Sequence, residues 1–364
     1  MRQRKCATIA VVVVVVLCLV ILYNSSTTQE QTPMSSRPRW YSLLVDVSTL
    51  SNLSDALSLR EAQGTQRPYE SHLHQLHQAD IIEKPMIDDA SLSSSTWPDP
   101  RVRAPFLEWK TCVLTRISEY EHDARALWGN LSIVVEHCEQ LPFMKALKIQ
   151  TFHNRDERKR HILPLEMSQS VIVTVGIGKD TKAEEALSKV LPNDTLFYGA
   201  DPISDVNKEL YSKIGTFLPF AVSGHTGISQ ARVLENTYVE RTVVHIDLVT
   251  FLNEIINKKF YDALWIDNEW SEYEMLPFFY RDGRLDQNNI TICQMNMEVH
   301  RHHNNEEQRE IFRSFIFRIL QDNRYGFFRV WKYRNLCFYF LNFADSKCVS
   351  KYIVNGEVTL TGKP

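Results

Sequence analysis

Hydrophobic positions fall into four regimes along the chain. They run uninterrupted from Ala7 to Tyr23, thin out from 24 to 100, recur at helical spacing from 101 to 167, and alternate between short β-branched runs and helical stripes from 168 to 353. The first run has Arg2, Arg4 and Lys5 before it. It predicts a transmembrane signal anchor over 7–23 with a cytoplasmic tail over 1–6, because basic flanks stay on the cytoplasmic side. As a helix it spans about 25 Å, near the lower limit for crossing a bilayer and suited to a thinner early-secretory membrane. A cleaved signal peptide is the competing reading, but the end of the run lacks small residues in an A-x-A arrangement. Residues 24–100 are rich in Ser, Thr, Gln, His and Pro and read as a largely disordered stem, although Leu43, Leu44 and Val45 could dock. Residues 101–167 read as a helical lead-in, with Leu107, Val113 and Ile117 on one side of a segment that also carries Trp109 and Cys112. Residues 354–364 form a tail.

Within 168–353 the first strand is Val171 to Val175, a β-branched run typical of a fully buried parallel strand. It ends at Gly176-Ile177-Gly178. The helix after it places Ala183, Ala186, Leu187, Val190 and Leu191 on one face, with Thr181 and Glu184 spaced as a capping box. Further strands are expected at Leu196 to Tyr198, Phe217 to Val222, Ala263 to Ile266 and Ile290 to Val299. Helices are expected from Asp247 to Ile256 and around Ile311 to Ile319, and Phe327 to Trp331 with Leu336 to Leu341 reads as a closing hairpin. Six or seven strands with intervening helices and an antiparallel end describe an α/β fold with a doubly wound mixed sheet.

Charge narrows the function classes. Lys plus Arg (41) nearly balances Asp plus Glu (44), a formal net charge of -3, so no basic footprint for nucleic acid is present. Of seven cysteines, Cys6 and Cys18 lie in or beside the anchor. The other five, Cys112, Cys138, Cys293, Cys337 and Cys348, show no C-x-x-C spacing, so no residue is assigned to a metal. In an oxidising lumen these five imply one or two disulfides and a leftover thiol. Sequons begin at Asn24, Asn52, Asn130, Asn193 and Asn289, in keeping with a glycoprotein of the secretory pathway.

The candidate chemistry lies at strand ends, where ligands bind in such sheets. Gly176, Ile177 and Gly178 form a tight turn open to close approach by a ligand. Asp201, followed by Pro202, lies 25 residues after Gly176 at the next strand end, where a carboxylate can accept both ribose hydroxyls of an adenosine cofactor. Asp267 ends the strand from Ala263, and Glu269 alternates with it, so the two are expected to point apart. Glu298 and His300 share one side of a later strand end, where the imidazole suits deprotonation of a hydroxyl and Glu298 could orient it. His302 and His303 read as solvated loop residues.

Several blocks in order, VTVGIGKDTKAE (173–184), FYGADP (197–202), PFAVSGHTG (219–227), ID-x-x-x-FL from Ile246, LWIDNEWSEYEML (264–276) and QMNMEVH (294–300), carry a resemblance. Over about 101–353 the chain resembles the FkbM-like class I methyltransferases, in particular membrane-anchored nematode members. The resemblance implies a Rossmann-like fold and S-adenosylmethionine across the first two strand ends, with Gly176 and Gly178 at its methionine and adenosine backbone and Asp201 at the ribose. It also implies methyl transfer, and a lumenal position suggests a glycan hydroxyl as acceptor in the endoplasmic reticulum or Golgi. One departure stands out: family members usually show Asp-x-Glu-Gly where this chain has Asp267-Asn268-Glu269-Trp270. Trp270 implies altered substrate choice or lost activity. Two alternatives stand beside methyl transfer: a non-catalytic binding protein on a methyltransferase core, or a Golgi glycosyltransferase whose Asp267-Asn268-Glu269 holds a metal against a sugar nucleotide.

Overall fold

A computed structural model describes residues 97–302 and 305–354. The expected anchor, most of the stem, His303 and most of the tail lie outside them. Among the described residues no helix is long and apolar enough to cross a membrane.

The described chain opens with α1 (Pro100–Ile117) and α2 (Ala124–Cys138). Asp99 caps α1 and Asp123 caps α2 through backbone N–H groups of the first turn. The helices bury Phe106, Trp109, Leu127 and Leu131, and Cys112 is bonded to Cys138 across them. Trp109 packs edge-on against Phe327 at 5.2 Å, which seats α1 on the far end of the sheet. The lead-in is not helical throughout. It closes with a hairpin of β1 (Gln150–His153) and β2 (Arg158–His161).

Strands β3 (Val171–Val175), β4 (Leu196–Ala200), β5 (Thr216–Leu218), β9 (Phe260–Ile266), β10 (Thr291–Val299), β11 (Tyr325–Lys332) and β12 (Leu336–Asn342) form one sheet in the order β11-β12-β10-β9-β3-β4-β5. The strands from β5 to β10 are parallel, and β12 runs antiparallel to β10. This is the expected seven-stranded, doubly wound mixed sheet. Strand order reverses between β3 and β9, the position where such sheets bind ligands.

Helices α3 (Lys182–Ser188), α4 (Ser204–Tyr211), α5 (Glu272–Met275), α6 (Glu306–Gln321) and α7 (Ser346–Tyr352) complete the layers. A second disulfide joins Cys293 of β10 to Cys348 of α7, and Cys337 remains free. The capping box expected at Thr181 and Glu184 does not form. Asp180 and Asn154 take the N–H groups of Lys182 and Ala183, and Glu184 turns inward to Thr174. The third expected strand divides into β5 and β6 (Ala221–Ser223), and β6 joins a separate sheet with β7 (Gly227–Leu234) and β8 (Tyr238–Asp247). The β7–β8 hairpin was not among the elements expected from the hydrophobic pattern.

One buried group sets an acid limit on stability. His161 on β2 is fully buried with neither ring nitrogen hydrogen-bonded. Burial, and then the charge of Lys351, hold its pKa down at about 3. In the unfolded chain the ring titrates near 6.5, roughly its ordinary value. The folded state therefore demands the neutral ring: its contribution is full above pH about 6.5 and is lost as pH falls toward the folded value. A His161→Phe variant is expected to remove about one proton's worth of acid destabilisation, roughly 1.4 kcal/mol per pH unit in that window. Urea midpoints measured between pH 7 and 4 check this, and an unchanged acid limb would refute it.

Candidate active site

The β3 turn and the β9 end touch directly. Gly176 adopts φ +81°, and a Cβ there would lie 1.8 Å from the carbonyl oxygen of Asp267. Only glycine allows the two backbones to pass this closely. Asp201 closes the turn from the β4 side: its Oδ2 accepts the N–H of Ile177 at 2.9 Å and of Gly178 at 3.3 Å, and its Oδ1 accepts that of Ile203 at 2.8 Å. Burial raises the Asp201 pKa, and the Ile177 and Ile203 N–H groups work against that rise.

Beyond these tips lies a cleft of about 590 Å³, counted out to open solvent. Gly176, Gly178, Asp201 and Pro202 line one side, and Asp267, Asn268 and Glu269 line the floor. The far wall comes from Arg232, Val233, Leu234 and Tyr238 of the β7–β8 hairpin. Lys179 ties the glycine turn to that hairpin by donating to the carbonyl of Glu235 at 2.6 Å.

Past Ile266 the chain leaves the sheet through two left-handed residues, Glu269 (φ 49°) and Trp270 (φ 70°). Such backbone costs a non-glycine residue about 1–3 kcal/mol, so other contacts must hold it. Asn268 donates to the carbonyl of Val222 at 2.7 Å, and the Trp270 indole donates to the carbonyl of Arg301 at 3.2 Å. The indole lies 5.1 Å from the His300 ring, and the Arg232 guanidinium sits over it at 5.0 Å. Trp270 therefore roofs the histidine rather than plugging the glycine turn.

This backbone reversal also changes where the acids point. Asp267 and Glu269 do not diverge as alternation along a strand would require: both approach His300 Nε2, at 3.7 and 3.4 Å. Glu298 Oε1 lies 3.9 Å from the same nitrogen. The residue that orients the imidazole is Glu272 on α5, not Glu298. Its fully buried carboxylate meets Nδ1 at 3.1 Å and accepts the His300 backbone N–H at 2.7 Å. His302 is not solvated either, being buried against Trp128 at 4.8 Å between ring centroids.

Two more groups arrive from the β1–β2 hairpin. The side-chain amides of Gln294 and Asn296 on β10 bond the backbone of Ile162 and Arg160 like a neighbouring strand, with Gln294 accepting at 2.8 Å and Asn296 at 2.6 Å. The hairpin so held carries Glu157, ion-paired with buried Lys159, to the cluster. Burial opposes the charge on Lys159, but Glu157 and Asp267 outweigh it and raise its pKa. Burial likewise opposes the imidazolium of His300, yet Glu272, Glu269 and Asp267 lift its pKa to about 12. Asp267 is pushed well above the carboxylate range by burial and then by the charges of Glu298 and Glu157. Burial and Glu157 raise Glu298 as well. The cluster thus holds a charged His300 and Lys159 together with two carboxyls that bind protons unusually firmly.

A glycine turn and a strand-end acid flanking a cleft at the switch point, with a polar cluster beyond, define the nucleoside-cofactor methyltransferases of class I fold. The methyltransferase FkbM domain model matches residues 115–328, more than half of the chain. The chain belongs to this family, whose reaction is methyl transfer from S-adenosylmethionine. It is similar to the uncharacterized protein C28H8.7 of Caenorhabditis elegans, 21% identical over 235 residues, covering 63% of this chain and 75% of that one. Among solved structures, a Klebsiella pneumoniae protein assigned as an O-methyltransferase is 12% identical with a TM-score of 0.32, covering 64% of this chain and 90% of the other. Aeropyrum pernix fibrillarin, with natively bound S-adenosyl-L-methionine, is 12% identical with a TM-score of 0.28, covering 49% and 68%. At these levels the solved structures carry no argument about activity, and the assignment rests on the family match.

The cleft passes a test of fit for that cofactor. No atom lies within 4 Å of where a Cβ on Gly178 would sit, so the turn leaves open space on the cleft side. Asp201 Oδ1 keeps a lone pair beyond its Ile203 bond for a ribose hydroxyl, while Oδ2 already accepts both Ile177 and Gly178, and a second hydroxyl would have to replace the longer Gly178 contact.

Proposed function

We propose that the chain methylates a hydroxyl oxygen of a glycan or another secretory-pathway substrate, on the lumenal side of a membrane that its N-terminal segment spans. The observation that carries the reading is one cleft lined together by Gly178, Asp201 and Asp267, with His300 Nε2 3.7 Å from the Asp267 carboxylate. Asp201 and the Gly176-Ile177-Gly178 turn, with Pro202 beside them, would hold the cofactor. The bound cofactor supplies an electrophilic methyl group on a sulfonium. Asp267 and Glu269 are the cluster members that line the cleft, and the charge of His300, which works against the rise in the Asp267 pKa, favours the ionised form of Asp267 that would take the acceptor's hydroxyl proton. His300, charged in the protein as it stands, passes that role to Asp267 and holds the acids in place. Trp270 and Arg232 form the roof over His300 and shape what acceptor enters.

The test is transfer of labelled methyl from S-adenosylmethionine to glycan acceptors by the full chain in detergent. Asp267→Asn is expected to lower kcat at least a hundredfold, in the range of a lost acid–base group, with cofactor affinity retained. Equal rates in both proteins, or no transfer to any hydroxyl acceptor, would defeat the reading.

The lumenal location draws support from two disulfides, which persist in oxidising compartments. The sequons at Asn193 and Asn289 are exposed. Expressed in animal cells, the chain should shift to lower mass on endoglycosidase treatment and stay in the membrane pellet after carbonate extraction. Release into the supernatant would contradict the anchor, and an unshifted band would contradict the lumenal placement.

A further inference from the structure

The polar end of the cleft has the donors of a cation site. Asp267, Glu298 and His300 each offer one ligand atom, and these atoms lie within 4.8 Å of one another. The set is mixed, two carboxylates and one imidazole. Two further observations point to a missing ligand. The first is Asp267 Oδ1, which is out of reach of solvent and has no hydrogen-bond partner. An acceptor buried in that state has lost its hydrogen bonds to water without a replacement.

The second is the aim of the imidazole. His300 is buried, and Glu272 holds its Nδ1 at 3.1 Å while gripping the backbone N–H, so Nε2 is turned into the cluster. There it meets carboxylate oxygens at 3.4, 3.7 and 3.9 Å, all longer than the roughly 2.7–2.9 Å of a well-formed charge-assisted bond. A carboxylate that fixes one imidazole nitrogen while the other faces further carboxylates is the usual support of a metal-binding histidine. The separations suit this. Ligands about 2.1–2.2 Å from a common ion stand roughly 3–4.4 Å apart, and the Nε2 distances to Asp267 and Glu298 fall in that span.

We infer that Asp267, Glu298 and His300 bind a divalent first-row transition cation in the cleft, the ion displacing to solvent the proton on His300 Nε2 and any proton on the two carboxyls. Imidazole nitrogen with carboxylate oxygen favours Mn²⁺ or Zn²⁺ over Ca²⁺, which takes oxygen ligands alone. Asp267 also lines the cleft, so the cation's remaining positions are within reach of a molecule bound there. The existence of the site does not rest on methyl transfer; only its use does.

The probe is Mn²⁺, read by electron paramagnetic resonance on the full chain without S-adenosylmethionine, so the result is independent of the methylation reading. One site per chain is expected, with nitrogen hyperfine coupling from an imidazole. Zn²⁺ should displace the signal and Ca²⁺ should not. Glu298→Gln, nearly the same shape, should weaken Mn²⁺ at least tenfold. His300→Gln should abolish the nitrogen coupling. If His300→Gln does not fold, as judged by circular dichroism, Glu298→Gln alone decides the matter. No Mn²⁺ bound at millimolar concentration, affinity unchanged in Glu298→Gln, or displacement by Ca²⁺ as strong as by Zn²⁺ would overturn the assignment.

Discussion

Replacing Asp201 with alanine is expected to weaken S-adenosylmethionine binding at least tenfold. The side chain performs two tasks at once. It accepts the N–H groups of Ile177, Gly178 and Ile203, which sets the shape of the glycine turn, and it keeps a lone pair on Oδ1 for the ribose. A hydrogen bond to a charged group contributes about 1.5–3 kcal/mol, so losing the one at Oδ1 weakens binding about tenfold or more, before any loosening of the turn. Asp201→Asn keeps one carbonyl acceptor and should fall between the two proteins. Isothermal titration with the full chain measures all three. Alanine and wild-type affinities within threefold of each other would show that Asp201 serves only the turn.

The largest effect on the fold itself is expected from Gly176→Ala. The added methyl would stand 1.8 Å from the Asp267 oxygen and 2.8 Å from its carbonyl carbon, both backbone atoms with no side-chain torsion to yield. Alanine also resists the φ of +81°. Overpacking of about 1–3 kcal/mol and left-handed strain of about 1–2 kcal/mol add to about 3 kcal/mol or more, and Tm should fall by roughly 6–12 °C. Cofactor binding should fail too, because the β3 and β9 tips can no longer touch. Gly178→Ala makes the informative partner. Nothing crowds its Cβ position, so the fold should survive at a cost of about 1–2 kcal/mol from φ alone while the methyl intrudes on the cleft. Full cofactor affinity in Gly178→Ala would mean that the ligand does not lie against this wall.

How much of this was legible in the sequence depends on how each element is buried. Strands β3 and β9 are enclosed on both faces, so Val171–Val175 and Ala263 to Ile266 appear as short β-branched or apolar runs. Strand β10 instead alternates apolar residues with Gln294, Asn296 and Glu298, and all three were placed within a few residues. The glycine turn was legible because it begins where the β3 run ends, and Asp201 was legible because it ends the next strand, β4. The hairpins were not. Strand β2 reads Arg-Lys-Arg-His and owes its place to side-chain amides of Gln294 and Asn296, which no periodicity announces. Glu157 and Lys159 reached the site by that route and escaped notice. Strand β7 was hidden too, because its exposure alternates along Gly227 to Arg232 while the residue types do not, with apolar Ile228 on the exposed side. Glu272 sits five residues past Asp267, but only the left-handed turn at Glu269 and Trp270 returns it to His300.

The central claim is that the tips of β3 and β4 and the end of β9 form one cleft that holds the cofactor. A crystal structure with S-adenosylhomocysteine tests it most directly. The account predicts both ribose hydroxyls within hydrogen-bond distance of the Asp201 carboxylate, the amino-acid portion along the Gly176-Ile177-Gly178 turn, and the sulfur facing Asp267. A nucleoside bound away from Asp201, or a ribose gripped by other residues while Asp201 keeps only its backbone partners, would contradict it.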